Sequence, residues 1–285
     1  MDNLSSQESI KETIGFARIQ SPSSINTYKQ CPRRYYYCYI EKIRTKPSIH
    51  LTRGKIAHSV LEDFFDLKPE KLEQKNLEFV LKIFIHDKLN QHWDKNKKEL
   101  DSLGLQKAQL NMFLEETRSM VDLWLNDFLK KLKKEMQEHD FIKAWQRLTP
   151  TREKQYSSEG YGIRGFIDAI FEKDGKISVV DYKTSKSCHI SVPYKLQLAL
   201  YAMMYEEKHG KRPDKVGIYF LRNGEEFLDV NDDLIKLAKL ECELIHTNTQ
   251  TKDKEDYPKK PGPLCKWATG QCDFYGMCFG TKNGN

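Results

Sequence analysis

The chain has 285 residues, of which 39% are hydrophobic and 31% are charged, with a formal net charge of +6 at pH 7. This composition provides a core for one large or two modest domains with a well-solvated surface. It excludes a membrane-spanning segment, because no stretch is long and apolar enough, and its modest net charge alone does not indicate a nucleic-acid partner.

The first 20 residues are expected to form a short flexible tail. Residues 1–13 are polar and of mixed charge and lack the apolar stretch of a signal peptide, so we expect an intracellular, cytoplasmic protein. In such a protein the odd number of seven cysteines favours ligation or burial over a disulfide framework. Ser21 followed by Pro22 then predicts the start of the first helix.

Residues 28–55 combine basic and aromatic side chains. They contain eight Lys or Arg and five Tyr residues against a single acid, Glu41. Basic groups pair with phosphates and aromatic rings stack on bases, so the excess favours a polyanion site. The alternative is a solvated helix whose tyrosines pack in the core. The predicted nucleic-acid contacts are Arg33, Arg34, Tyr36, Arg53 and Lys55.

A helix beginning near Arg53 is predicted to carry His58. Gly54 and His58 are four residues apart and share one helical face, although a single histidine on a helix is more often structural than a ligand. Apolar residues then keep helical spacing over residues 67–148, with a break near Gly104. We interpret this segment as a helical insertion into the main fold.

The pattern changes to strands after residue 150. A first strand is predicted over 154–158. In a second strand, over 161–172, Ile163, Gly165, Ile167 and Ala169 alternate with the residues of the other face. Asp174-Gly175 predicts a tight turn that returns the chain along a third strand, 176–184.

The third strand ends in a charged pair. Asp181 and Lys183 share one of its faces, and the hairpin places Asp168 beside Asp181 on the neighbouring strand. Two carboxylates at such a short distance repel each other, which favours binding of a divalent cation between them.

A helix over residues 193–209 is predicted next, with Gln197 and Tyr201 four residues apart on one face. The remaining strand and helix signals lie at 215–222, 227–230 and 231–247, the last with Asn231 as a suitable N-cap.

Three cysteines lie within fourteen residues of a polar C-terminal segment: Cys265, Cys272 and Cys278. Their density suggests ligation of a soft metal with a fourth ligand from elsewhere, for which Cys31 is our candidate. Iron–sulfur clusters and zinc both accept four thiolates, so the residue types alone do not choose between them. Cys242, within a helix, is expected to be a buried inert thiol.

Four motifs occur in order on the predicted elements: Gly54-x-x-x-His58, Gly165-x-x-Asp168, Asp181-x-Lys183 and Gln197-x-x-x-Tyr201. This set resembles that of the PD-(D/E)XK nuclease superfamily in its RecB-like branch, which includes nuclease domains of recombinational helicase-nucleases and the CRISPR adaptation exonucleases. The resemblance implies an α/β fold. Its restriction-endonuclease-like core is a mixed central β-sheet flanked by helices, with a helical insertion and a Cys-rich cluster-binding tail added.

The resemblance also implies the metal ligands. His58, Asp168 and Asp181 would hold Mg²⁺ or Mn²⁺, with the backbone carbonyl of Tyr182 as a further ligand. Glu153 would be the additional acidic residue often found upstream.

The implied catalytic residues are Asp168, Asp181, Lys183, Gln197 and Tyr201. Lys183 would position and polarise the attacking water and stabilise charge in the transition state. Gln197 and Tyr201 would organise the site and contact the DNA.

The cysteine layout resembles the subset of this branch that carries a [4Fe–4S] cluster. There, one cysteine precedes the motifs and three follow them, as Cys31 does with Cys265, Cys272 and Cys278 here. The gap of six residues between Cys265 and Cys272 is longer than the commoner form. The resemblance therefore favours a [4Fe–4S] cluster and leaves zinc as the alternative.

The predicted function is that of a divalent-metal-dependent DNA nuclease, an exonuclease on single-stranded DNA or DNA ends in repair, recombination or CRISPR adaptation. The alternatives are a non-catalytic DNA-binding module of the same fold and an iron–sulfur or zinc structural protein. No phosphate-binding Gly-x-x-x-x-Gly-Lys-Ser/Thr loop occurs in the sequence, so unwinding would require a partner. A helicase or CRISPR adaptation proteins are the expected partners besides DNA.

The predicted divisions of the chain are a tail (1–20), the N-terminal part of the nuclease domain with the first cluster cysteine (21–66), the helical insertion (67–148), the nuclease core (149–250) and the Cys-rich cluster segment (251–285).

Overall fold

A five-stranded mixed sheet forms the centre of the computed structural model, which describes residues 16–268 and 270–280. Only β3 and β4 are parallel, and every other neighbouring pair is antiparallel. In spatial order the strands are β1 (Thr151–Ser158), β2 (Ile163–Lys173), β3 (Lys176–Lys183), β4 (Lys215–Phe220) and β5 (Gly224–Asp229). The predicted α/β fold with a mixed sheet is confirmed.

The predicted tail lies outside the described residues as far as residue 15. Within its last part, Gln20 is 1% exposed and forms a bridge to Ile163 at the start of β2. This contact ties the chain to the sheet immediately before the first helix begins.

The turn between β2 and β3 has the predicted form. Asp174 and Gly175 have φ values of 52° and 75°, the left-handed pair that a two-residue hairpin turn requires. Asparagine, aspartate and glycine tolerate that region best, so this dipeptide fixes the register that pairs β2 with β3.

One face of the sheet is covered by three helices: α1 (Pro22–Gln30), α8 (Val192–His209) and α9 (Asp232–Asn248). Two of them begin where their caps predict. The Ser21 hydroxyl accepts a hydrogen bond from the Ser24 amide at 3.1 Å, and the Asn231 side chain accepts one from the Leu234 amide at 3.0 Å. Helix α8 is the crossover that makes β3 and β4 parallel.

The opposite face is covered by the helices of residues 49–148, which directly precede the sheet in the chain. They pack around an aromatic cluster that contains Phe64, Trp124, Phe128 and Trp145. Their bounds are α3 (Ile49–Phe64), α4 (Leu77–Lys95), α5 (Lys97–Asp101), α6 (Lys107–Glu135) and α7 (Phe141–Leu148). The predicted break at Gly104 separates α5 from α6, whereas α3 begins four residues before Arg53. No described helix combines the length and apolarity needed to cross a membrane.

The two ends of the described chain pack together. After α1 come α2 (Pro32–Tyr35) and a π-helix (Tyr36–Ile40), and the C-terminal segment carries β6 (Lys266–Trp267), β7 (Gly270–Gln271) and α10 (Tyr275–Phe279). The Arg33 amide donates to the carbonyl of Pro258 at 3.2 Å, and the Tyr257 ring is fully buried against Tyr35.

Side chains of β2 change face around Asp168. Ile163 and Ile167 belong to the core beneath α8, but Ala169 belongs to the core beneath α3 and α6, so the predicted regular alternation through Ala169 is wrong. Glu153 of β1 lies opposite this point with a φ of 44°. An irregular backbone on the neighbouring strand therefore coincides with the change of face.

Candidate metal and catalytic site

The end of β3 carries the predicted Asp181–Lys183 pair. Asp181 is 2% exposed, and its Oδ2 lies 2.5 Å from Lys183 Nζ. Its Oδ1 accepts a hydrogen bond from Gln197 Nε2 at 2.8 Å, and the same amide nitrogen lies 2.8 Å from the Tyr201 hydroxyl. Two residues of α8 thus fix one carboxylate of the strand.

A second group of ligands forms beside this pair. His58, Glu153 and Asp168 each place one ligand atom so that the three atoms all lie within 4.8 Å of one another. His58 Nδ1 is 3.3 Å from Asp168 Oδ2, which also accepts a hydrogen bond from the Tyr182 amide at 2.8 Å. The backbone of β3 therefore holds the Asp168 carboxylate in place through the Tyr182 amide, while α3 supplies the imidazole of His58.

The glycine of the Gly165-x-x-Asp168 motif has a packing reason. A methyl group on Gly165 would lie 3.3 Å from Met204 of α8 and 3.3 Å from Pro22 of α1. These contacts are tighter than a side chain normally accepts, so glycine lets both helices approach β2. The motif thus combines a close approach of helices with a carboxylate three residues later.

Burial and mutual attraction set the charges of the strand-end pair. Burial raises the pKa of Asp181, against the opposing effect of the Lys183 ammonium. Burial works to lower the pKa of Lys183, but Asp181 more than offsets it, so the net shift is upward. Asp181 therefore favours the charged form of Lys183.

The carboxylates of the second group are held in different states. Burial tends to raise the pKa of Asp168, yet the hydrogen bond and charge of His58 bring it below the usual value. The pKa of Glu153 is raised to about 7 by burial and then by the charge of Asp168. Acidic groups crowded in this way are stabilised by a cation.

The residues present fit a divalent metal ion. Asp181 Oδ2 is buried, and within the described part of the chain its partner is the Lys183 ammonium alone, so one lone pair remains free for a ligand. Carboxylate oxygens with one imidazole nitrogen are donors that suit Mn²⁺, and the oxygens suit Mg²⁺. The structure adds Glu153 to the closest ligand group and leaves Asp181 outside that group of three.

The signal for Glu153 in the sequence was the resemblance, which implies an additional acidic residue upstream of the motifs. Its left-handed backbone and its proximity to His58 depend on tertiary structure. The carbonyl of Tyr182 stays a predicted ligand.

Three of the five predicted DNA contacts are buried, Arg33, Tyr36 and Arg53, and the first two pack against Tyr257 of the C-terminal segment. Arg33 is 4% exposed, and its Nε donates to the Tyr257 carbonyl at 2.6 Å. Tyr36 is 6% exposed, and its hydroxyl donates to Glu41 at 2.6 Å. We therefore correct the prediction for these two residues and assign them a structural role, since neither side chain is available at the surface.

The predicted contacts Lys55, Arg34 and Arg53 lie in different places. Lys55 is exposed on α3, and Arg34 borders the cavity formed by the cysteines. Arg53 is 4% exposed and binds Glu116 of α6 at 2.7 Å. The structure thus does not gather the five residues into one surface.

The four predicted cluster ligands line a single cavity: Cys31, Cys265, Cys272 and Cys278. The Cys272 amide donates to the Cys265 carbonyl at 2.9 Å, which closes the loop that carries these two thiols. Burial raises the pKa of Cys278, and the neighbouring Cys31 raises it further. Four thiols around one cavity, with Phe274 beside them, fit a tetrathiolate metal centre. Cys242 is 1% exposed within α9, as predicted.

Comparison with known proteins extends these observations over most of the chain. The family model described as the PD-(D/E)XK nuclease superfamily matches residues 20–279, a range that includes all four motifs and all four cavity cysteines. The "Gene 69 protein" of Mycobacterium phage L5 is 24% identical over 225 residues, which is 71% of this chain and 76% of that protein.

Two further relatives match shorter parts of the chain. The "CRISPR-associated exonuclease Cas4" of Francisella tularensis subsp. novicida (strain U112) is 29% identical over 122 residues, 42% of this chain and 58% of that protein. One of the subunits of the ATP-dependent helicase/nuclease of Clostridioides difficile (strain 630) is 41% identical over 71 residues, 23% of this chain and 6% of that protein.

Proposed function

Because the chain belongs to the PD-(D/E)XK nuclease superfamily, we propose that it is a divalent-metal-dependent deoxyribonuclease that hydrolyses phosphodiester bonds. We infer that it is an exonuclease on single-stranded DNA or DNA ends, acting inside the cell in repair, recombination or CRISPR adaptation. Its similarity to proteins named as a CRISPR-associated exonuclease and an ATP-dependent helicase/nuclease supports this assignment. A helicase or CRISPR adaptation proteins would be its partners.

The observation that carries the proposal is the convergence of two motifs on one carboxylate, beside a group formed by the other two. Asp181 lies between Lys183 of its own strand and Gln197 of α8, at 2.5 Å and 2.8 Å. An ammonium and an amide on the two oxygens of a buried carboxylate form a preorganised site. Next to it, the ligand group of His58 and Asp168 adds imidazole and a second carboxylate.

The metal ion would be held by His58, Glu153, Asp168 and Asp181, with the Tyr182 carbonyl as a further predicted ligand. When bound, Mg²⁺ or Mn²⁺ supplies neutralisation of phosphate charge and a water molecule of lowered pKa.

The residues around the ligands prepare the site for a phosphate. Lys183 keeps its ammonium charged because Asp181 raises its pKa, and it stabilises the negative charge that develops on the phosphate oxygens. Gln197 holds Asp181 in one orientation while the Tyr201 hydroxyl fixes the Gln197 amide. The rate therefore depends on α8 as well as on the strand.

Nuclease activity is tested by Mn²⁺-dependent cleavage of end-labelled single- and double-stranded DNA. We expect Asp181→Asn to lose at least about 100-fold in rate, because it removes a ligand charge and the partner of Lys183. Asp229→Asn is the matched control, since the Asp229 side chain is 87% exposed, and it should cleave like the wild type. Equal cleavage by Asp181→Asn would exclude the proposed site, and tight DNA binding without cleavage by the wild type would favour a binding module.

We propose further that the four cavity cysteines hold a [4Fe–4S] cluster, with zinc as the alternative. The cluster would join the segment after α1 to the C-terminal segment, since Cys31 and Cys278 come from the two chain ends. Anaerobically purified protein should be brown and contain iron. If the purified protein is colourless and contains stoichiometric zinc, the four cysteines bind zinc and the cluster assignment is wrong.

A further inference from the structure

Two arginines share a single carboxylate oxygen at the carboxyl edge of the sheet. Arg53 Nη1 of α3 and Arg222 Nη2, which follows β4, each lie 2.7 Å from the same Oε2 of Glu116. Glu116 belongs to α6, the long helix of the segment that we interpret as an insertion. One carboxylate thus faces two guanidinium groups that come from the nuclease core.

This group is adjacent to the proposed active site. The Leu221 amide, next to Arg222, donates to the carbonyl of Lys183 at 2.9 Å. A methyl group on Gly54, next to Arg53, would lie 3.6 Å from the Thr184 hydroxyl. Both arginines are therefore anchored one residue away from groups that contact the end of β3.

The charges of this group do not balance. Arg53 is 4% exposed, yet the Nε of Arg53 and the Nε of Arg222 have no hydrogen-bond partner within the described residues. Burial lowers the pKa of Arg53, and the nearby Arg222 acts in the same direction, opposed by Glu116. One carboxylate oxygen, together with His50 Nδ1 at 3.4 Å from Arg53 Nη2, leaves donors unused and one positive charge uncompensated, which is costly for buried groups.

We propose that Arg53 and Arg222 form a binding site for a phosphate group of the DNA strand, and that Glu116 occupies this site until DNA binds. A phosphate offers more acceptor oxygens and more charge than a carboxylate, and guanidinium groups bind it in a bidentate manner. Glu116 is 32% exposed, so its side chain has a route to solvent. The inference rests on the proposed function, because it takes DNA as the ligand.

A purely structural role for Glu116 predicts the opposite result. If the carboxylate only ties α6 to the core, its removal weakens the fold and leaves DNA affinity unchanged or lower. If it competes with phosphate, its removal strengthens DNA binding, because the competent fraction of the site rises. The sign of the change in affinity distinguishes the two roles.

The experiment measures fluorescence anisotropy of a 3′-labelled single-stranded oligonucleotide in EDTA, with and without a 5′-phosphate. We expect Glu116→Gln to bind up to about tenfold more tightly than the wild type. Glu115→Gln is the matched control, because it removes the same charge from a neighbouring, 66% exposed side chain, and its affinity should follow the small effect of net charge. Glu116→Asp shortens the side chain and should also bind DNA more tightly. This variant replaces Glu116→Gln in the test if Glu116→Gln does not fold.

Removal of an arginine should have the converse effect. We expect Arg222→Gln to bind about tenfold more weakly and to lower the slope of log affinity against log salt by about 0.7, the value for one phosphate on a single strand. An effect that requires the 5′-phosphate assigns the site to a strand end, and an effect on both oligonucleotides assigns it to an internal phosphodiester.

Two outcomes would overturn the inference. If Glu116→Gln binds DNA no more tightly than Glu115→Gln, Glu116 does not compete with phosphate. If Arg222→Gln binds DNA like the wild type, the two arginines are not a phosphate site. Mn²⁺-dependent cleavage is measured on the same proteins. Arginine-dependent binding without cleavage by the wild type would contradict the nuclease proposal alone, and cleavage with arginine-independent binding would contradict this inference alone.

Discussion

Replacing Gln197 by leucine tests whether α8 controls the charge of the metal site. Gln197 donates to Asp181 Oδ1 at 2.8 Å, and Asp181 is 2% exposed. Leucine fills a similar volume but cannot donate, so this oxygen loses its hydrogen bond in a position that water reaches poorly. The substitution leaves the pairing of Asp181 with Lys183 in place.

The magnitude follows from the kind of bond that is lost. A hydrogen bond to a charged group is worth about 1.5–3 kcal/mol, which corresponds to roughly 10- to 150-fold in affinity. Residues that orient a metal ligand affect metal affinity by a similar factor, about 10–100-fold. We therefore expect Gln197→Leu to weaken Mn²⁺ binding by at least about tenfold.

The loss should depend on pH in a defined direction. Burial already raises the pKa of Asp181, and loss of the Gln197 donor raises it further because the carboxylate is less stabilised. A metal ion binds the ionised form, so the variant should lose more Mn²⁺ affinity at acidic pH than at alkaline pH. The acidic limb of the cleavage profile should move to higher pH.

Isothermal titration with Mn²⁺ at several pH values provides the measurement. Gln146→Leu is the control, because Gln146 is exposed on α7, and it should bind Mn²⁺ like the wild type. The reasoning fails if Gln197→Leu matches the control in both affinity and pH dependence. Equal losses at all pH values would leave a positional role for Gln197 but exclude its effect on the pKa of Asp181.

Three other substitutions probe the rest of the fold. Glu135→Gln should lower the free energy of unfolding by about 1–2 kcal/mol at neutral pH, because basic partners on α7 and β2 overcome burial and depress the pKa of Glu135. That contribution exists above the unfolded pKa of about 4.3 and is lost as pH falls through the lower folded value. The free energies of unfolding of variant and wild type, measured by urea denaturation, should therefore converge in acid. A difference that stays constant with pH would contradict the assignment. Gly217→Ala should cost about 1–3 kcal/mol, because its methyl group would lie 2.7 Å from the backbone of β5. Gly262→Ala has no heavy atom within 4 Å of its methyl group and should melt like the wild type; equal melting temperatures of the two variants would contradict the clash. Cys272→Ala should lose iron or zinc and melt at a lower temperature, whereas Cys242→Ala should keep its metal, and full metal content in Cys272→Ala would exclude the cavity as the binding site.

Features encoded by adjacent residues could be predicted from the sequence. The Asp174-Gly175 turn and the caps Ser21 and Asn231 depend on backbone preferences within a few residues. The register of β2 and β3 then follows from the turn, and with it the proximity of Asp168 to the end of β3. Motif spacing placed the glycines and carboxylates on the correct elements for the same reason.

Burial of Arg33 and Tyr36 within the basic and tyrosine-rich segment could not be predicted in the same way. An exposed ring stacks on a base and a buried ring stacks on another ring, so Tyr36 has the same local pattern in either case. Tyr36 is buried because its ring lies 5.2 Å from the ring of Tyr257, a residue far along the chain. Arg33 was misassigned for the same reason, since its acceptor is the Tyr257 carbonyl.

The ligand group illustrates a different limit. Glu153 has a positive φ, which a glutamate adopts only when surrounding structure stabilises it. Nothing in the local sequence reports that conformation, and only the packing of α3 against the sheet brings His58 beside it. A motif therefore identifies the residues that carry the chemistry, while the distances between them depend on the whole fold.

The cysteine cavity and the proposed metal site are connected through the packing of α1 on α8. Cys31 directly follows α1, and α1 packs on α8 and on β2. At that junction Pro22 and Met204 both approach Gly165, and the Tyr201 ring lies 3.4 Å from the position of its missing methyl group. A ligand that joined Cys31 to the C-terminal segment would restrain α1, which packs on the helix that holds Asp181 through Gln197. Tetrathiolate ligation would therefore act on the site by limiting the motion of α8, without any cysteine contacting the reacting phosphate.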